Sequence, residues 1–534
     1  MKITLAQVKY KTGDFGLNFE NIINAARQLG SYEAKNEEEQ RSGEQEDRLI
    51  SYKWMAEDMD VDKIQQKQQF DNSMPSCPLD LRSSNNSYTS IPPYLHTSLI
   101  IFPQADIEEI GGKDLILDEN VRKAQIEFYQ KIADKNLAQN ILIGDILIRN
   151  GNVEVSQDGF FEIEGKKVFV SDTFIEDIDC DLYVLAKNRY YAMNTYKDFV
   201  DNIETRTDFV YVNSIGLSDE NVFMGGSFAK NSNNEIVLQM PICKEDIDTV
   251  DFSRSIEFEE DDIEKQIIDV TTFALKEYCE NMGFKKVVLG LSGGIDSALT
   301  AVLAVRALGS ENVLGIMMPS MFSSKGSIDD SVKLAENLGI KTVTEPITPL
   351  FENFMSERER LHDLAEENLQ ARLRGLILMF YSNRENILLL STGNKSESAM
   401  GFGTLYGDLA GGYNIICDLT KTNVYKVSNY LNKDGEVIPQ TIIDKAPSAE
   451  LHPNQKDQDR LPEYEILDDI IEMYLEKNIP AEEIYEKYDK KTVDEVVRKI
   501  YGMQFKRHQG CLGVRLTERA FVGGTNLPVV QRFY

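Results

Sequence analysis

The stretch LGLSGGIDSALT, residues 289 to 300, constrains this chain more than any other. The apolar run KVVLGL before it reads as a buried strand, and the residues after Asp296 read as a helix. Between them Ser292, Gly293 and Gly294 make a tight turn that aims backbone amides outward from the helix N-terminus. A strand, a glycine turn and a helix in that order predict a parallel sheet that binds an anion beyond its strand ends. No lysine follows the glycines, so this is not the GxxxxGK[S/T] loop of common ATPases. Asp296 cannot pair with a phosphate directly, but it can hold a Mg²⁺ ion that bridges phosphate oxygens.

The texture around this stretch supports the same sheet. From about residue 260 a long amphipathic helix is followed by KVVLGL, a helix over 297–308, NVLGIMMP, a helix over 328–338 and TVTEPI. Helices over 357–383, a strand over 388–393 and a mostly helical segment from 463 to about 505 complete that half. The first half is different: short apolar strands at 2–9, 97–103, 140–148, 166–172, 181–186, 208–215 and 235–240, with helices at 18–30 and 118–138. A polar, weakly periodic insertion over about 31–94 interrupts it. The chain of 534 residues is too long for one core, and the change of pattern divides it into residues 1–255 and 256–534.

A net charge of −31 argues against nucleic acid and anionic membrane surfaces as partners. The six cysteines have neither metal-ligand nor redox spacing, and four histidines are too few for a zinc site. The N-terminus lacks the apolar core of a signal peptide and no apolar run has membrane-spanning length, so a cytoplasmic protein is expected.

SGGIDS resembles the signature of the ATP pyrophosphatases, which split ATP between its α and β phosphates. MMPSMFSSKGSIDDS, EENLQARLRG, STGNKSE, GFGTLYGDLAGG, DLTKTNVYKVSNYLN and LPEYEILDDII follow in an order similar to one branch, the NAD synthetases. The resemblance implies an α/β fold: a Rossmann-like parallel sheet of the ATP pyrophosphatase type, preceded by a nitrilase-like α-β-β-α sandwich. It also implies ATP and Mg²⁺ as cofactors, deamido-NAD and ammonia as substrates, and a homo-oligomer of at least two copies. Ser292, Gly293, Gly294, Ser297, Thr392, Thr420 and Arg372 would then contact ATP, and Asp296 and Glu397 would hold the metal. Lys395 and Lys421 would meet the phosphate charge, with Asp296 the third catalytic residue. Asn368, Arg374, Asp408 and Lys506 would face the dinucleotide, and Asn368 and Arg372, four apart, share one helix face. Ser323, Ser324 and Ser327 offer hydroxyls near the nucleotide.

The reaction so implied has a physical logic. A carboxylate is a poor electrophile. Adenylation converts it to a mixed anhydride from which AMP departs when ammonia attacks.

The first 250 residues resemble the nitrilase-type amidases that supply such ammonia from glutamine through a Glu, a Lys and a Cys. Three positions depart from that pattern. The strand expected to end Phe-Pro-Glu reads Phe102-Pro103-Gln104, and glutamine has no carboxylate to act as a base. The strand expected to deliver the cysteine reads VFVSD, with Ser171 in its place. The segment that should bring the lysine is missing, and Lys166 and Lys167 lie too close to the strand to replace it. Free ammonia is therefore the expected nitrogen source. A working glutamine-dependent enzyme, a different ATP pyrophosphatase and a non-enzymatic assembly protein are the alternatives.

Overall fold

The computed structural model describes residues 1–28, 97–137, 140–453 and 455–533; the insertion expected over 31–94 lies outside them. The first half is two six-stranded sheets face to face. One runs, in spatial order, Asp246–Thr249, Ile3–Gln7, Leu99–Phe102, Asn140–Ile143, Ile146–Arg149 and Asn152–Val155. The other runs Ile236–Gln239, Phe228–Lys230, Asp208–Tyr211, Leu182–Leu185, Lys166–Ser171 and Phe160–Ile163.

Strand alternation decides the layering. Leu99 and Ile101 face the second sheet's Val168, Val170, Val184 and Val210. Their neighbours Ile100 and Phe102 turn the other way, onto helices Phe15–Gln28 and Glu119–Asp134. Burying each such side chain stabilises the sandwich by roughly 1.5–3 kcal/mol. The outer face of the second sheet carries Phe169, Tyr183, Phe209 and Tyr211. These join Ile267 and Leu275 of helix Ile263–Met282 and Val287 and Leu289 of the next sheet in one apolar cluster. Lys9 and Glu277, 2.5 Å apart, add an ion pair across the same junction.

One expected strand is two. NILIGDILI folds as a hairpin, Ile141 opposite Ile148 and Ile143 opposite Ile146, around Gly144 and Asp145. Gly144 has φ +58°, a conformation that suits glycine in a two-residue hairpin turn.

The second half holds a parallel sheet in the order Lys341–Thr344, Val313–Met317, Val287–Gly290, Leu388–Leu389. Helices Ile295–Leu308, Lys325–Leu338 and Leu364–Glu385 connect these strands. Val287 pairs with both Val313 and Leu388, so the central strand leads directly into the SGGIDS turn. No helix among the described residues is long and apolar enough to cross a membrane.

Candidate active site

The glycine turn opens into a cavity of about 350 Å³ at the carboxyl ends of the parallel strands. Ser292, Gly293, Gly294, Asp296 and Ser297 line it, facing Thr392, Glu397, Arg374, Asp408, Lys421 and Lys506. Gly293 is obligatory twice over. Its φ is +73°, and a Cβ there would lie 2.3 Å from the Ser327 carbonyl oxygen. The serines first hold the turn itself: the Gly294 N–H donates to Ser292 Oγ at 3.2 Å, and Ser297 Oγ donates to the Gly294 carbonyl at 2.9 Å.

Asp296, in the first turn of helix Ile295–Leu308, meets three groups brought from elsewhere. Its Oδ2 lies 2.5 Å from the Lys421 ammonium. Its Oδ1 accepts from Asn394 Nδ2 at 3.0 Å. The third is Glu397, whose Oε1 is 3.5 Å from the same ammonium. Asn394 caps helix Lys395–Met400 and accepts from the Glu397 N–H at 2.9 Å, so the STGNKSE turn presents Asn394 and Glu397 together. Burial, and then the Asp296 charge, push the Glu397 carboxyl up to about 8, with Lys421 working the other way.

Of the expected substrate contacts, Arg374, Asp408 and Lys506 line the cavity. Arg374 donates to the Met318 carbonyl at 3.2 Å; burial pushes its guanidinium down to about 10, with Asp408 and Glu450 opposing. Asp408 Oδ1 accepts the Thr404 N–H at 2.5 Å. Lys506 donates to the carbonyls of Gly401 and Gly403 at 2.7 and 2.8 Å, near the C-terminal end of helix Lys395–Met400. Arg507 does the same with the Ser398 carbonyl at 2.9 Å.

Three expectations need correction. Lys395 does not reach the cavity. Its side chain is 1% exposed and its ammonium lies among Asp418 Oδ1 at 2.7 Å, Thr517 Oγ1 at 2.8 Å and Glu476. The first residue of the helix points into the core, and Asp418 and Glu476 claim its charge. Asn368 and Arg372 do share a face, but that face pins a turn rather than lining the cavity. Thr404 Oγ1 donates to Asn368 Oδ1 at 2.8 Å, and Arg372 donates to the Leu405 carbonyl at 3.2 Å. Thr420 caps helix Lys421–Leu431, accepting the Asn423 N–H at 3.4 Å, and delivers Lys421 without lining the cavity itself. Ser323 and Ser327 line the cavity and Ser324 does not; Ser324 and Ser327 donate to Glu450 Oε1 at 2.8 and 2.7 Å.

The chain matches the family described as NAD synthase over residues 267–510. A glutamine-dependent NAD(+) synthetase of Thermotoga maritima is 40% identical over 397 residues, 66% of this chain and 68% of that protein. The corresponding protein of Aquifex aeolicus is 39% identical over 403 residues, 66% of this chain and 71% of that one. The chain belongs to the NAD synthase family. It is a carbon–nitrogen ligase by that membership. The structure of a glutamine-dependent NAD+ synthetase from Acinetobacter baumannii in complex with ADP aligns with a TM-score of 0.64 at 26% identity, over 99% of this chain and 98% of that one. One from Cytophaga hutchinsonii aligns with a TM-score of 0.74 at 15% identity, with the same coverage, and so shares the fold.

The paired sheets are accordingly the nitrilase-like half. Gln104 is buried there; its Nε2 donates to Asp145 at 3.2 Å and its backbone carbonyl accepts Asn188 Nδ2 at 2.7 Å. Ser171 Oγ donates to the Thr173 carbonyl at 2.7 Å, a local turn bond. Lys166 pairs with Asp181 at 3.0 Å and Lys167 with Asp179 at 3.9 Å. Burial raises the thiols of Cys180 and Cys243, which makes neither a ready nucleophile.

One further loop that lines the cavity was not legible in the sequence. Lys445, Pro447, Glu450 and Asp457 all line it. The loop joins no periodic pattern; its only signal is the three carboxylates Glu450, Asp457 and Asp459 that follow Pro447, in KAPSAELHPNQKDQD.

Proposed function

We propose that this chain uses ATP to convert the nicotinate carboxylate of deamido-NAD to the carboxamide of NAD, releasing AMP and pyrophosphate. The observation that carries the reading is the meeting of Asp296, Glu397 and Lys421 beside the Ser292–Gly294 amides. The amides and Lys421 suit a polyphosphate. Among the described residues no three His, Cys, Asp or Glu side chains converge on a metal position. Two neighbouring carboxylates remain, which suits Mg²⁺, an ion commonly held by one or two carboxylates and the nucleotide's own oxygens. Asp296 and Glu397 would hold it, and it would supply charge neutralisation on the departing pyrophosphate. Asn394 fixes the Asp296 carboxylate, and Lys421 bears on the pyrophosphate. Arg374, Asp408 and Lys506 orient the dinucleotide carboxylate for attack.

The relatives are named glutamine-dependent, and this favours glutamine over the free ammonia expected from the sequence. The second reading, free ammonia, is supported by the residues at the amidase positions: Gln104 offers no carboxylate, and among the described residues Ser171 has neither a base nor a lysine bonded to it. Purified protein given ATP, Mg²⁺ and deamido-NAD, with ammonium or glutamine in separate reactions, tests both. NAD and AMP are expected with ammonium. Their appearance with glutamine supports the first reading, and their absence the second.

A domain boundary near 255 fits the end of the last sandwich strand at Thr249 and the start of helix Ile263–Met282. A homodimer is also proposed. Leu350, Phe354, Leu376 and Phe380, on the helices Thr348–Met355 and Leu364–Glu385, are 45–62% exposed and form an apolar surface suited to a second copy. Light scattering giving a mass of one chain would rule that out.

A further inference from the structure

Asp457 is a further carboxylate in the cavity, beside Asp296 and Glu397. It sits in the short turn Asp457–Asp459 and is 4% exposed. Its Oδ2 accepts the Tyr464 hydroxyl at 2.8 Å, while its Oδ1 is buried without a hydrogen-bond partner among the described residues. Its N–H donates to the Pro447 carbonyl at 3.1 Å, which ties the turn to the rest of that loop. Tyr464 touches the other side as well: the Lys421 ammonium is 5.3 Å from the centroid of its ring. Asp457 thus stands within electrostatic range of Lys421 without an ion contact to it.

A buried carboxylate oxygen with no donor is costly, and a cation is what relieves it. Lys421 is the nearby candidate, and its partners are Asp296 at 2.5 Å and Glu397 at 3.5 Å. Both of those carboxylates are needed elsewhere once nucleotide is bound. Without a further anion, Lys421 would lose its anchor when it has to act.

We propose that Asp457 is a positioning residue. Its free Oδ1 receives the Lys421 ammonium in the loaded site and keeps it directed at the leaving pyrophosphate, with Tyr464 orienting the carboxylate. This rests on the reading of Lys421 as a pyrophosphate contact.

The test is a double-mutant cycle on the full chain with Asp457→Asn, Lys421→Met and the pair together. Ammonium-driven kcat and KM are measured beside calorimetric binding of magnesium pyrophosphate. Asp457→Asn is expected to lower kcat about 10-fold or more, to leave KM for deamido-NAD within about twofold, and to weaken pyrophosphate binding about 10-fold. In the Lys421→Met background it should add less than about twofold. Tyr464→Phe, which keeps the carboxylate but frees it to rotate, should give a smaller loss in the same two quantities. Full additivity of Asp457→Asn and Lys421→Met overturns the proposal, as does an Asp457→Asn rate within twofold of the parent. A Lys421→Met variant with parental kcat and pyrophosphate affinity would instead remove the underlying reading of Lys421, and this proposal with it.

Discussion

Asn394 Nδ2 donates to Asp296 Oδ1 at 3.0 Å, which joins the STGNKSE turn to the SGGIDS helix through one side chain. Asn394 also accepts the Glu397 N–H at 2.9 Å. One residue therefore bonds both carboxylates proposed to face the metal, Asp296 through its side-chain amide and Glu397 through its backbone N–H, which donates to Glu397 Oε2 at 3.4 Å. Asn394→Ala should cost about 1 kcal/mol of stability through the lost cap. It should also lower ammonium-driven kcat about 10- to 100-fold, the usual effect of removing a residue that orients a metal ligand. Denaturant unfolding and steady-state kinetics on the same preparation separate the two effects.

Asp296→Asn removes the carboxylate that faces both Lys421 and the cavity. The expected loss in kcat is roughly 100- to 1,000-fold, with the fold retained because the helix bonds of residue 296 are backbone bonds. Circular dichroism matching the parent, together with the rate, checks it.

Lys395 behaves differently. Its charge neutralises Asp418 and Glu476 inside the protein. Lys395→Met would strand both carboxylates in a buried site, at a cost of roughly 3–5 kcal/mol. The prediction is a large fall in the unfolding midpoint. A stable but slow Lys395→Met protein would return Lys395 to the phosphates.

Asp106 gives a pH prediction in the other half. Burial, partly offset by the Tyr129 hydroxyl, pushes its carboxyl up to about 6. Its folded pKa is thus above the unfolded value of about 3.9, so its contribution to stability is fully present below pH 4 and lost as pH rises through about 6. Asp106→Asn keeps Oδ1, which accepts from Gln125 at 2.7 Å and Tyr129 at 2.6 Å, and removes the ionisation. The variant should gain up to about 3 kcal/mol over the parent at pH 7.5 and much less at pH 4, as read from urea unfolding at the two pH values.

Ser171 tests the amidase positions. Its hydroxyl is committed to Thr173, so Ser171→Ala should leave the ammonium-driven rate within about twofold. A glutamine-driven rate that disappears in this variant would identify Ser171 as a nucleophile after all.

What could be read from the sequence followed the physics of each feature. The SGGIDS turn was legible because local rules determine it: an apolar strand, a left-handed glycine and a helix start lie within a dozen residues. The strand-rich and helix-rich textures were legible because strand and helix periods differ. Side-chain direction was not legible: Lys395 and Glu397 are two residues apart, yet one turns to the core and the other to the cavity. Arg372 and Arg374 divide in the same way, the first onto Leu405 and the second into the cavity. The GD turn in NILIGDILI was hidden inside a run of isoleucine and leucine that also reads as one strand. Asp457 was missed because the charge it faces, Lys421, comes from a separate helix.

The most direct test of the synthetase assignment is stoichiometry: purified protein with Mg-ATP, deamido-NAD and ammonium, products resolved by chromatography. The account predicts one NAD, one AMP and one pyrophosphate per turnover, with no ADP. ADP formation, or no NAD from a folded preparation, would contradict it.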